Sequence, residues 1–171
     1  EQADALMNEH GVCVASDGCS SKEDIEDFTN GGILYDVRIN IAKYATSARH
    51  AAELIGEMVV KYGYRGSGRT YLVADPTEGW IVSVVKGRHW VAQRVPDDKV
   101  MIIPNYYVID KVDLSDKNNF LGSRDLIDYA IKRGWYNPDK DGEFSFRKAY
   151  ASPKTIASKH NINRHRQALN Y

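Results

Sequence analysis

Between Gly68 and Val95 the chain offers three apolar runs of six to eight residues, separated by short turns, and no other stretch restricts the fold as tightly. "GRTYLVAD" passes through "PTEG" into "WIVSVV"; Lys86-Gly87 leads on to "RHWVAQRV", and "PDD" turns toward "KVMIIPNYY". Runs this short, with turn signals this close, are not helices, and connections of this length join antiparallel neighbours. The spacing predicts a four-strand meander near residues 68–74, 80–85, 88–95 and 99–103. His89 falls inside the third of these strands beside Trp90, where a structural role is expected.

The flanking segments read as helical. Leu34, Val37, Ile41 and Tyr44 recur at helical spacing from about Gly32, and Ala51, Leu54, Ile55, Met58, Val59 and Tyr62 line one face of a second helix. Ser47 is a good N-cap for that helix and Gly63 a good stop. Beyond the meander, Ser123 is placed to cap a helix carrying Leu126, Ile127, Ala130 and Ile131, with Gly134 ending it. Shorter helices are expected around 145–151 and 155–169. Near the amino end, "NEHG" (Asn8 to Gly11) signals a turn before the strand-like run Val12 to Ala15, and a polar loop covers Asp17 to Asn30. The class is α+β.

Composition excludes some roles. Lys+Arg and Asp+Glu both total 23, giving zero net charge, whereas nucleic-acid and membrane-surface binders carry a basic excess. No apolar run reaches the ~18 residues that span a bilayer. At 171 residues the chain suits one domain, long enough to bury roughly two-thirds of its unfolded surface. It opens at Glu1 and stops at Tyr171 directly after a helical pattern, and is expected to be part of a longer protein. Its localisation is therefore left open, as is homo-oligomerisation.

Two cysteines, Cys13 and Cys19, cannot define a disulfide framework. A zinc site from Cys13, Cys19, His160 and His165 would need a cysteine spacing wider than that of common structural sites, so no metal and no cofactor are expected. Cys13, in an apolar run, is expected to be a buried small hydrophobe with a suppressed thiolate. Cys19, in the polar loop "SDGCSSKED", is expected to be the accessible thiol, with no adjacent base to activate it.

Three segments carry the reading further: "MNEHGV" followed by a small-residue loop, "GSGRTYLVADPTEGWIVSVVKGRHWVAQRVPDD", and "IPNYYVID…DLSDKNNFLGSRDLIDYAIKRGWY". Together they resemble the bacterial dipeptidases of the N-terminal-nucleophile hydrolase superfamily, relatives of penicillin V acylase and bile-salt hydrolase. The resemblance runs from Met7 to about Leu169 and is strongest over 62–136. It implies a four-layer αββα fold and a cysteine made the first residue by processing, whose own α-amino group, of pKa near 8, activates the thiol. That nucleophile lies upstream of the matched part, so residues 1–171 would be the central portion of the catalytic domain and neither Cys13 nor Cys19 the nucleophile.

The resemblance also implies site residues. Asn105, in "IIPNYY", matches an asparagine whose amide N–H serves a tetrahedral oxyanion; a strand-end Asn capping the turn after Pro104 is the bland alternative. Asp17 and Gly18 fall where relatives place a second oxyanion contact, which the Gly18 backbone N–H can supply. Arg164, in "NINRHRQAL", matches an arginine that organises the nucleophile's surroundings. The spacing departs there by one residue, so Arg166 remains open, and a solvated cation near a helix end is the alternative for both. The implied substrate is a small peptide, a dipeptide. Two other classes stay open: an amidase of the same superfamily acting on a non-peptide amide, and a fragment without activity of its own.

Overall fold

The structure, a computed structural model, describes residues 4–169. Six strands form one antiparallel sheet in chain order: β1 (Ala5–Met7), β2 (Cys13–Gly18), β3 (Tyr64–Ala74), β4 (Gly79–Gly87), β5 (Trp90–Arg94) and β6 (Phe120–Gly122). The fold is α+β, as a strand meander flanked by helical patterns predicts. The register sets Gly18 opposite Arg69, Asp17 opposite Thr70 and Tyr71 opposite Val82, so β2, β3 and β4 lie side by side and antiparallel at the site end.

β4 decides the layering. Every residue from Trp80 to Val85 is buried, which a strand achieves only when both sheet faces are covered. Trp80, Val82 and Val84 face α1 (Asp36–Tyr44) and α2 (Ala48–Tyr62), packing with Val37, Ile41, Ile55 and Val59. Ile81 and Val85 face the other way, against Tyr107, Ile109, Leu126, Phe146 and Tyr150 from the second half of the chain. That half carries α3 (Leu126–Lys132), α4 (Phe146–Tyr150), α5 (Pro153–Ile156) and α6 (Lys159–Leu169).

Local chemistry explains most boundaries. Ser47 caps α2 by accepting from the His50 N–H at 3.1 Å, and Gly63 follows as its C-cap. α1 begins four residues after Gly32 because Asn30, Gly31 and Gly32 all have positive φ, at 53°, 81° and 73°, a conformation that cannot enter a right-handed helix. Ser123 does not cap α3, whose N-cap is Asp125. Its hydroxyl instead accepts from the Trp90 N–H at 3.1 Å and ties β5 to the loop.

One expected strand is absent. Residues 99–103 form no strand; β6, unanticipated from the sequence, occupies the open edge of β5 with Phe120 opposite Gln93 and Gly122 opposite Val91. Met101 and Ile103 spend their apolar surface on the second core instead. His89 lies in the turn before β5, stacked on Tyr129 at 4.0 Å between ring centroids, with Nε2 3.3 Å from Asp125.

A single carboxylate joins the β3–β4 hairpin to the helix layer. Asp75 Oδ1 accepts from the Thr77 N–H at 2.7 Å, the Thr77 hydroxyl at 2.7 Å and the Glu78 N–H at 3.0 Å. Its Oδ2 accepts from the Ala48 N–H, in the first turn of α2, at 2.7 Å. Desolvation opposes the charge, but these four donors outweigh it and hold the carboxyl down to about 2. An unfolded aspartate titrates near 3.9, so the folded value is depressed; the contribution is complete above about pH 4 and lost as pH falls toward about 2. Asp75→Asn is expected to lower the melting temperature at neutral pH and to flatten its decline between those limits. Identical acid limbs for the two proteins in a thermal-melt series would contradict this account.

Candidate active site

Three segments distant in sequence meet at the end of β2. Asp17 and Gly18 close the strand rather than opening a loop. Asn105 follows Pro104 in an irregular stretch across the same sheet face, and Arg164 reaches in from α6. All four residues that the sequence singles out, Asp17, Gly18, Asn105 and Arg164, thus lie in one hydrogen-bonded group.

The Asn105 amide is its centre. Arg164 Nη2 donates a hydrogen bond to Asn105 Oδ1. On the other side Asn105 Nδ2 donates to Asp17 Oδ1 and to the Gly18 carbonyl, the latter at 3.1 Å. These neighbours fix the amide's orientation: a guanidinium can only donate and a carboxylate can only accept, so a flipped amide would oppose donor to donor and acceptor to acceptor. Arg166, two residues further along α6, is exposed, and a step of two residues, about 200° around a helix, turns it away from the Arg164 side. Among the described residues it makes no hydrogen bond to Asn105 or Asp17.

The Asp17 carboxylate oxygen receives a second donor. The Gly18 N–H points to Asp17 Oδ1 at 2.9 Å. Two N–H groups from separate parts of the chain therefore converge on one anionic oxygen. Such a pair of fixed donors suits any oxygen that carries or develops negative charge.

The surroundings hold these groups in place. Asn161 Nδ2 donates to the Asn105 backbone carbonyl at 3.4 Å and to the Thr155 carbonyl at 3.1 Å. Tyr106 and His165, each next in sequence to a site residue, share a hydrogen bond of 2.6 Å between Oη and Nδ1. α6 is thereby docked by two adjacent side-chain pairs. Tyr107 anchors the stretch from below, its hydroxyl donating to the Val84 carbonyl at 2.7 Å. Gly68 allows this approach, since a Cβ there would sit 2.2 Å from the Tyr107 hydroxyl and 2.4 Å from the Cys19 carbonyl. The segment after Gly18 is pinned by Glu23, whose side chain is 2% exposed. It accepts from the Asp24 and Ile25 N–H groups at 2.9 Å each and from the Tyr129 hydroxyl at 2.7 Å, and pairs with Arg133. Nothing in the spacing of Tyr106, Asn161, His165 or Glu23 announces these roles. Only their adjacency to Asn105, Arg164 and the Gly18 loop hints at them.

The cysteines exchange the environments expected from the sequence. Cys13 is exposed: Val12 and Val14 turn toward the helices, so the alternation of a strand turns Cys13 to the opposite face, where its neighbours Met7 and Ala74 are also exposed. Cys19 is fully buried beside Tyr107 in the second core, with Sγ 3.8 Å from the Pro104 carbonyl. Burial, partly offset by a hydrogen bond to Thr70, pushes its thiol up to about 12. Among the described residues, no three His, Cys, Asp or Glu side chains are grouped to hold a metal ion.

Comparison with known proteins gives a consistent family. The profile of peptidase family C69 matches residues 5–171. A probable dipeptidase of Latilactobacillus sakei is 29% identical, over 88% of this chain and 33% of that protein. A probable dipeptidase of Salmonella dublin is 30% identical, over 94% and 39% respectively. Dipeptidase A of Lactobacillus helveticus is 33% identical, over 81% and 29%. The chain thus spans between 29% and 39% of the length of these curated relatives.

The thiol environments are directly testable. Brief alkylation of this chain at about pH 8, where a thiol of raised pKa has almost no thiolate, is expected to mark Cys13 and spare Cys19. Denaturant should expose both to peptide mass spectrometry. Rapid labelling of Cys19 in the folded chain would contradict its burial.

Proposed function

Because the chain belongs to peptidase family C69, we propose that residues 1–171 are the central portion of a dipeptidase catalytic domain, whose cysteine nucleophile comes from outside these residues. The observation that carries this reading is the convergence of the Gly18 N–H and Asn105 Nδ2 on one anionic oxygen. In this reading Asp17 Oδ1 stands where the substrate carbonyl oxygen goes during the reaction.

The sheet and its α1–α2 layer then form one half of a four-layer αββα arrangement of the N-terminal-nucleophile type. The face bearing Asp17, still open around Cys13 and Ala74, is the one that meets the other half. The nucleophilic thiolate attacks the scissile carbonyl carbon and the C=O electron pair moves onto oxygen. Gly18 N–H and Asn105 Nδ2–H take up that charge. Collapse of the tetrahedral species expels the amine, which leaves with the proton that the nucleophile's α-amino group took from the thiol, and water then releases the acyl group from sulfur. Arg164 does not touch the reacting atoms. By holding Asn105 Oδ1 it keeps the amide N–H groups turned to the site, and its charge polarises the amide so that they donate more strongly.

If Asn105 serves the oxyanion, its bond strengthens between bound substrate and transition state, so its loss lowers kcat much more than it raises KM. Asn105→Ala in the full-length protein is expected to reduce kcat for dipeptide hydrolysis by roughly 10²–10³, as for other oxyanion donors. Melting temperature measured on the same preparation separates this from a turn-capping role. A folded Asn105→Ala enzyme with wild-type kcat would remove Asn105 from the reaction.

A further inference from the structure

Asp17 poses a problem that the oxyanion role of its neighbours does not solve. Its Oδ1 sits between the two donors, yet no basic side chain pairs with it among the described residues; Arg164 addresses the far side of Asn105 instead. Its Oδ2 accepts no hydrogen bond among the described residues, and the residue is only half-buried. Arg69, the nearest arginine along the sheet, turns to Ser16 at 3.0 Å and to Tyr64 at 3.0 Å. A carboxylate held beside a developing oxyanion would repel it. The arrangement is favourable only if a positive group from outside the described residues meets the carboxylate, and the substrate itself can bring one.

We propose that Asp17 is the receptor for the free α-ammonium group of the substrate's amino-terminal residue, and that this group draws it out of the oxyanion position. The inference rests on the hydrolytic reading above. In an α-aminoacyl group the ammonium nitrogen is attached to the carbon next to the scissile carbonyl. When the carbonyl oxygen takes the place of Asp17 Oδ1 between Gly18 N–H and Asn105 Nδ2, the ammonium therefore lies beside the displaced carboxylate. A rotation about the two side-chain bonds of Asp17 exchanges one partner set for another. The donors gain the carbonyl oxygen, and the carboxylate gains an ammonium.

A substrate without that cation leaves Asp17 on the donors or unpaired beside the oxyanion. The site is then specific for free amino termini and rejects N-acylated substrates. It does so by leaving a charged group without its partner, which discriminates far more strongly than shape does. The same residue separates a peptidase of free amino termini from an amidase that takes simple acyl groups.

The test uses the full-length protein with two substrates, alanyl-alanine and its des-amino analogue propionyl-alanine. The wild type is expected to prefer alanyl-alanine by at least about 10³ in kcat/KM, somewhat below the ~10⁴–10⁵ seen where a fully buried polar partner is left unpaired, as suits a half-buried carboxylate. Asp17→Asn keeps shape and an acceptor oxygen but loses the charge. It is expected to cut kcat/KM for alanyl-alanine by about 100-fold or more while sparing or raising that for propionyl-alanine, so that the preference collapses. An unchanged preference in a folded Asp17→Asn enzyme would overturn the proposal. So would equal use of the two substrates by the wild type, a result that needs no variant. A wild-type enzyme that cleaves neither fails at the hydrolytic reading itself, and so overturns both.

Discussion

Burial of β4 on both faces is the constraint from which the rest of the molecule follows. Trp80 to Val85 present no solvent side, so one layer must cover Trp80, Val82 and Val84 and another must cover Ile81 and Val85. The helices α1 and α2 meet the first demand. The second is met by a long, largely irregular segment that must cross the sheet, and this crossing carries Asn105 over the end of β2. Had β4 been half-exposed, residues 101–109 would have had no reason to lie there. Tyr107, fully buried and bonded to the Val84 carbonyl, joins that packing requirement to the placement of Asn105 two residues before it.

The parts of the fold that depend on local chemistry were legible. Ser47 and Gly63 bracket α2 because capping is a property of a few neighbouring residues. The β3–β4 hairpin follows from apolar runs around "PTEG", whose Asp75 neighbour closes the turn. Sequence pattern and structure part where a distant partner decides the outcome. "KVMII" has strand composition, but the edge of β5 is taken by Phe120–Gly122, and three residues cannot advertise a pairing made across the fold. The cysteines follow the same rule. Run composition placed Cys13 inside and loop polarity placed Cys19 outside. Strand alternation exposes the first, and Pro104 and Tyr107, far along the chain, bury the second.

For the site, resemblance to a known family picked out residues whose spacing alone means little, and the structure brings Asp17, Gly18, Asn105 and Arg164 together. What no sequence pattern conveyed is the order of charges: guanidinium, amide, carboxylate. Each member orients the next, because a donor-only group must meet the amide oxygen and an acceptor-only group the amide nitrogen. That order leaves the Asp17 carboxylate between two N–H donors with no cation beside it among the described residues. The docking pairs around it, Tyr106 with His165 and Asn161 with the Asn105 carbonyl, are consequences of α6 lying across residues 105–106.

The most direct test of this account is a crystal structure of the full-length protein bound to a phosphinate analogue of a dipeptide, whose phosphorus-bound oxygen copies the tetrahedral oxyanion. The account predicts that oxygen between the Gly18 N–H and Asn105 Nδ2, with the Asp17 carboxylate moved onto the ligand's ammonium group. A ligand seated with Asp17 still on Asn105 and its own oxygen elsewhere would contradict it.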